Sequence, residues 1–466
     1  MNALALAWRN LLRNRRRSLA TLSAMMLGLV TVLLFGGYIK DLNYGLETDF
    51  VQLSGHLQVQ HRDYHLLGSG NPAAYGVKQH EQVIAALRAD AELGPMLAAA
   101  TPILQFGGLA GNSAAGVTRT VFVTGTVVED QVRMRQWNEH GFPTLAKHNS
   151  LAGTPMNTVV VGTGVARVLQ LCGPLKVPDC PAAGPDVAAG AGGAALPDDI
   201  SALADTVGSG GPGSTAGRPR IEILTASARG APNVAGVDVL AAEFQGIKEF
   251  DDVHVAMHLQ QAQQLVFGNA EPQVTAIALQ LHSTAQLETA RARLTQLLQE
   301  KFSSQPLAVL DFATLNPFYD QALSMFAAIF GFIAVLIGSI VLFTVGNTMS
   351  TAVVERTAEI GTLRAIGLRR RGIRNIFVCE GLLLGAIGAV VGTLLAVLLA
   401  TAINRSGLTW MPPGRVEPID LAVRVAGEFS MLVFSAAWLL VVGVLSAWLP
   451  ATRAARMNIV EALRHV

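Results

Sequence analysis

The chain has 466 residues, of which 51% are hydrophobic and 14% charged, with a mean hydropathy of +0.41. That is too apolar for a soluble globule of ordinary composition, and it predicts a chain embedded in a membrane. A net charge of +1 supplies no whole-chain field that would favour nucleic acid, so no nucleic-acid partner is expected.

The N-terminal residues 1–17 place Leu4, Trp8, Leu11 and Leu12 at helical spacing, with Arg9, Arg13 and Arg16 on another face. This predicts an amphipathic helix lying in the headgroup layer; the alternative is a positively charged flank that only sets topology. An apolar run at 18–38 follows. It exceeds the roughly 7 to 15 residues of a signal-peptide core, so a retained transmembrane helix is expected. Three more runs, at 322–345, 376–402 and 429–449, also reach the roughly 20 residues that span a bilayer. Basic residues cluster before the first span, between the second and third, and after the fourth. The positive-inside rule then puts both termini in the cytoplasm, with residues 39–321 outside the membrane and 403–428 as a short outer loop.

The outer segment is large enough for two subdomains. Strand, helix and strand patterns occur at its start (HLQVQ, Gln79 to Ala98, ATPILQFGGLAG) and again at its end (QVTAIALQL, STAQLETARARLTQLLQEKF, PLAVLDF). That arrangement predicts one α/β subdomain built from both ends, with a β-rich subdomain inserted between them. Within the insertion, 181–217 is rich in Ala, Gly and Pro, lacks periodicity, and is expected to be a mobile loop. Cys172 and Cys180 stand at its start. On the oxidising side of the membrane a disulfide between them would close a short loop, worth roughly 2 to 3 kcal/mol; the alternative is two free thiols.

Signals for catalysis are weak. GSGGPGST (Gly208 to Thr215) has phosphate-loop glycine spacing, but Ser214 stands where the lysine belongs, so no nucleotide is expected to bind there. His254 and His258 have the i, i+4 spacing of a zinc helix. DDVHVAMHL reads better as a strand, on which they would lie about 13 Å apart, too far for one metal ion. No catalytic residue, cofactor or metal is assigned to this chain.

The membrane segments carry more information. In the third span Gly381 with Gly385, and Gly388 with Gly392, have the GxxxG spacing that lets helices approach closely. Glu380 lies near that span's cytoplasmic end, where it reaches water or a neighbouring helix or, on a sharper reading, lines an ion path. Between the second and third spans, residues 346–375 include NTMSTAVVERTAEIGTLRAIG. Glu355, Arg356, Glu359 and Arg364 fall within a few turns of the lipid boundary beside apolar Ala358, Ile360 and Leu363. A short cytoplasmic helix able to dock in a groove of another protein fits that pattern; the alternative is a solvated loop.

That stretch, continued by LRRRGI, CEGLLLGAIGAVVG and the terminal LPATRAARMNIVEALR, resembles the C-terminal module of the FtsX/MacB-like superfamily of ABC transporter permeases. RNLLRNRRRS, VVVGTGVARVLQL, GIKEFDDVHVAMHLQQAQQLV and MPPG are similar to lipoprotein-releasing permeases of the LolC/LolE type. The resemblance implies an α-helical membrane protein with four transmembrane helices and a large α/β periplasmic domain with porter-like and sabre-like subdomains, in a bacterial inner membrane. It also implies a separate ABC ATPase subunit carrying ATP and Mg, a second permease copy or paralogue, a periplasmic adaptor or lipoprotein carrier, and contact with membrane lipid. By the same resemblance Glu355, Arg356, Glu359, Ile360 and Gly361 fall on a coupling helix that passes ATP-driven motion outwards by mechanotransmission. Release of lipoprotein or another amphiphile is the leading expectation. Efflux of the MacB type and an FtsX-like regulator of wall hydrolases are the alternatives.

Overall fold

The computed structural model describes residues 3–68, 72–142, 150–177, 218–245, 248–411 and 418–457. The Ala/Gly/Pro-rich insert 181–217 with its GSGGPGST motif, Cys180, most of MPPG and the tail 458–466 lie outside the described residues. Helices α1 (Ala3–Arg13) and α2 (Arg15–Ser54) lead to strand β1 (Leu57–His61), helix α3 (His80–Arg88), and strands β2 (Leu97–Asn112) and β3 (Val117–Thr126). Next come α4 (Val128–Met134), β4 (Thr158–Gly162), α5 (Thr163–Val168), β5 (Arg220–Ala226), β6 (Pro232–Glu243), β7 (His254–His258) and α6 (Leu259–Phe267). Strand β8 (Ala276–Leu281), α7 (Leu287–Lys301) and β9 (Leu307–Asp311) complete that part. Helices α8 (Pro317–Glu355), α9 (Thr357–Ala365), α10 (Arg370–Arg405) and α11 (Phe429–Arg456) follow, with a two-residue ribbon of β10 (Thr409–Trp410) and β11 (Ile419–Asp420) between the last two.

The chain divides into two units, one of Met1–Tyr44, Gln321–Trp410 and Ile419–Val466, the other of Gly45–Asp320 with Met411–Pro418. In the second unit β1, α3 and β2 at one end and β8, α7 and β9 at the other form a single antiparallel sheet in the order β2-β8-β1-β9. This is a split β-α-β arrangement. Its helices bury Val83, Ile84 and Leu87 from α3 and Ala290, Leu294, Leu297 and Leu298 from α7, recurring at helical spacing on one face of each. The 16-residue β2 outruns this sheet. From Ile103 to Asn112 it pairs with β3, and the chain of pairings β3-β7-β4-β6-β5-β2 closes a six-stranded ring. Alternate residues such as Val121 and Val123 of β3 and Ile221 and Ile223 of β5 are buried in the same core, as the period of two requires. The β-rich part is thus inserted between β2 and β8.

Two stretches far apart in sequence meet beside the ring. Asp251, 1% exposed, accepts hydrogen bonds from the Thr163 and Gly164 backbone N–H groups, each 2.9 Å, and from the Thr163 hydroxyl. The carboxylate satisfies donors that the start of α5 would leave orphaned. A Cβ at Gly162 or Gly164 would overlap Asp251 or Asp252, so both positions require glycine. A second carboxylate, Asp90, accepts from Arg293 at 2.7 and 3.1 Å and from the Leu93 N–H at 2.9 Å. The guanidinium and that N–H hold its carboxyl well below the usual range.

The first unit contains most of the four helices long and apolar enough to cross a membrane. All of them except the last also start before the apolar runs, and all four continue past them: α2 runs to Ser54 and α8 to Glu355. Polar side chains do not end a helix, because the backbone bonds are intrinsic to it. What ends α2 is Gly55, whose φ of +75° suits only glycine without strain. The two glycine pairs of α10 meet different neighbours. A Cβ at Gly381 would lie 2.7 Å from the Gly443 carbonyl oxygen and the Ala447 Cβ, and one at Gly385 3.3 Å from Leu440, all on α11. At Gly388 and Gly392 the obstacles are Met25 and Leu29 of α2, at 3.3 and 3.1 Å. Further along α2, Lys40 pairs with Glu428 and Asp41 accepts from Arg424 at 2.6 Å.

Candidate functional site

Helix α8 ends at Glu355, and Arg356 leaves the helical region with φ −104° and ψ 19°. A single short helix, α9, follows before Gly367 at φ +104° and extended Arg369 turn the chain into α10. The sequence dictates this jog. Gly367 takes a left-handed conformation that closes α9, and Leu368 N–H bonds back to the Leu363 carbonyl at 3.0 Å. Ile360, 3% exposed, packs in a cluster with Val353, Ile373, Phe377, Ala451 and Ala454. That anchors the short helix on α10 and the end of α11. Arg364 donates to the Met457 carbonyl and fixes its other end.

Ion pairs surround the jog. The Arg356 side chain is 9% exposed and donates to Glu380 on α10, itself 4% exposed, at 3.1 Å. It also donates to the Asn10 carbonyl at 3.4 Å. The flanking carboxylates pair with the N-terminal arginines. Glu355 takes a two-pronged bond from Arg17 at 2.8 and 3.2 Å. Glu359 accepts from one nitrogen of Arg13 at 2.5 and 2.8 Å. Both carboxylates remain more than half exposed. Exposed pairs of this kind contribute about 0.2 to 1 kcal/mol, whereas a buried pair is costly to break.

The five residues expected on a coupling helix therefore take different positions. Arg356, Ile360 and Gly361 are buried within the chain, while Glu355 and Glu359 stay accessible. Accessible apolar surface beside them comes from Val354 and Ile366, 72% and 80% exposed. Sequence reasoning missed Asn10, Arg13, Arg17 and Glu380 as members of this site. The usable signal was electrostatic: Glu380 stands among apolar residues, where a carboxylate needs a cation, and Arg356 is near in sequence. The N-terminal arginines carried no such signal, since they are explained fully by topology.

Other candidate residues lie elsewhere. His254 and His258 are on strand β7, His254 against the Phe250 ring at 4.6 Å and His258 bonded to Thr154 at 3.2 Å. Among the described residues no group of three His, Cys, Asp or Glu side chains converges as a metal site would. Burial pushes His254 down to about 4, against the opposing pull of Asp251, and pushes His56 down to about 4 against Glu139. Cys172 opens a short helix at Cys172–Leu175; its expected partner Cys180 is outside the described residues.

Comparison with known proteins bears on the same region. The model of the FtsX-like permease C-terminal family matches residues 328–459. The macrolide export ATP-binding/permease protein MacB of Bordetella avium is 27% identical over 225 residues, 43% of this chain and 32% of that protein. The lipoprotein-releasing system transmembrane protein LolC of Haemophilus influenzae is 28% identical over 168 residues, 36% of this chain and 41% of that protein. The matches thus span less than half the length of these two relatives. The crystal structure of the extracellular domain of the noncanonic ABC-type transporter YknZ from Gram-positive bacteria matches with a TM-score of 0.27 and 12% identity, over 55% of this chain and 99% of that one. This chain carries an FtsX-like permease domain and is a homologue of MacB, LolC and other ABC transporter permeases.

Proposed function

We propose that the chain is the permease subunit of an ABC transporter whose ATP hydrolysis occurs on a separate ATPase. The observation that carries this reading is α9, a nine-residue helix between two helices of spanning length, which presents Glu359 and is flanked by accessible Glu355 and exposed Ile366. A surface of accessible carboxylates beside an apolar side chain suits a groove on a soluble partner. Its attachment to α10 and α11 through Ile360, and to α10 through the Arg356–Glu380 pair, gives displacement of α9 a stiff path into the membrane helices. In this reading the membrane is the bacterial inner membrane, both termini are cytoplasmic, and the second unit works on the outer side. The permease acts as a dimer of two copies or of two paralogues.

Release of a lipoprotein or another amphiphile is the cargo reading, supported by similarity to LolC. Similarity to MacB favours a second reading, efflux with a periplasmic adaptor. The test is co-purification of the full chain with an ABC ATPase from the same cells, and the ATPase rate with and without the permease. An assembled complex with permease-dependent ATPase activity is expected. Full activity of the chain without any ATPase would overturn the reading.

A further inference from the structure

The N-terminal helix carries an unpartnered surface next to this site. On α1, Ala7 is buried and the helix packs on α10. An adjoining face exposes Leu4 at 54%, Trp8 at 48% and Leu12 at 50%. Leu19 and Leu27 of α2, a helix long and apolar enough to cross a bilayer, are exposed as well. Arg9, Arg15 and Arg16 are exposed around the α1 stripe. A stripe of leucine and tryptophan flanked by arginines and followed in the chain by a helix of spanning length fits an anionic bilayer surface.

Arg13 and Arg17 belong to the same basic flank, yet their guanidiniums hold the carboxylates of Glu359 and Glu355. A guanidinium binds a phosphate through the same two-pronged geometry as a carboxylate. Because both carboxylates are more than half exposed, the exchange costs little in solvation. We propose that headgroup phosphates of an anionic bilayer compete with Glu355 and Glu359 for Arg17 and Arg13, so that the basic segment where α1 meets α2 reads membrane surface charge and sets how firmly the α8–α9 jog is held. Anionic lipid frees the two carboxylates; zwitterionic lipid leaves them clamped. The proposal rests on the chain being a membrane protein with α9 near the lipid surface, and its test needs no ATPase.

The full chain is placed in nanodiscs of phosphatidylcholine alone or of phosphatidylcholine mixed with phosphatidylglycerol. Amide hydrogen exchange is followed over residues 350–366, and quenching by brominated lipid is compared between the wild-type chain and Trp8→Phe. Exchange over 350–366 is expected to be several-fold faster in the anionic discs, and Trp8→Phe to lose part of the quenching. The variant Arg13→Gln/Arg17→Gln is expected to exchange fast in both lipids. Equal exchange in the two lipids, quenching that does not depend on Trp8, or a lipid effect that survives in the double variant would each overturn the proposal. So would acceleration by inorganic phosphate in phosphatidylcholine discs, which would assign the site to a free anion instead of a bilayer.

Discussion

Replacing Glu380 by Gln tests the central joint of the site. Its carboxylate and the Arg356 guanidinium are 4% and 9% exposed and 3.1 Å apart. At an effective dielectric of about 20, opposite unit charges about 4 Å apart attract by ~4 kcal/mol. Glu380→Gln keeps the volume but leaves the guanidinium desolvated without its counter-charge, and Arg356→Met leaves the carboxylate in that position. Removing one member of a buried pair costs about 3 to 5 kcal/mol, so each variant is expected to lose about 3 kcal/mol of stability. The double variant Arg356→Met/Glu380→Leu substitutes apolar groups of similar volume and should recover most of the loss. Unfolding of the full-length chain in mixed micelles, titrated with dodecyl sulfate and followed by tryptophan fluorescence, provides the comparison. A Glu380→Gln chain that unfolds at the wild-type midpoint, or a double variant whose loss equals the sum of the singles, would refute the reasoning.

Glu359→Lys should change the stability of the isolated chain by less than about 1 kcal/mol, because its pair with Arg13 is exposed, yet abolish co-purification with the ATPase. The swap Arg13→Glu/Glu359→Lys restores the internal pair and should not restore assembly; recovery of assembly would show that only the internal pair matters. Gly381→Ala puts a Cβ 2.7 Å from backbone on α11 and should cost about 1 to 3 kcal/mol by overpacking, read in the same micelle titration. Gly331→Ala, with nothing within 4 Å, is the neutral control. For His254, whose folded pKa is about 4 against 6.5 unfolded, the native state binds fewer protons between those values. Stability is complete above about pH 6.5 and falls as pH drops towards 4, by up to about 3 kcal/mol. Melting curves at pH 7 and pH 5 should diverge less in His254→Phe than in wild type. Mass spectrometry of unreduced peptides is expected to find Cys172 joined to Cys180, and recovery of both as free thiols would remove that pairing.

The parts of the fold that depend on length and period were legible. Four apolar runs implied four helices because a bilayer sets a minimum span, and of DDVHVAMHL, expected as a strand, the central His254–His258 is one, between a short helix ending at Asp251 and α6 starting at Leu259. Closure of the ring was not legible. Phe122 of β3 pairs with His254 and Gly107, and nothing in VFVTG names a neighbour more than 130 residues away in the chain. The candidate site divides the same way. The jog between spans could be found from charges crowded at a lipid boundary, whereas the Arg13–Glu359 pair joins residues separated by 346 positions. The inward turn of Arg356 brings it to Glu380, 24 positions further along the chain, a relation visible only once the end of α8 is placed against α10. It also changes how variants are chosen: Glu355→Ala probes the accessible surface, whereas adding Arg356→Ala would break the buried pair as well.

Strand β2 belongs to both sheets of the second unit, pairing with β8 up to Ile103 and with β3 and β5 beyond it. Tension applied at β1, β8 or β9 therefore travels into the ring along a covalent backbone and does not have to cross a side-chain seam. A seam can slip or peel one contact at a time, but a shared strand yields only when a whole row of ladder bonds shears together. Parting the four-stranded portion of the second unit from its ring would therefore mean stripping β2 from one set of its neighbours along a whole ladder.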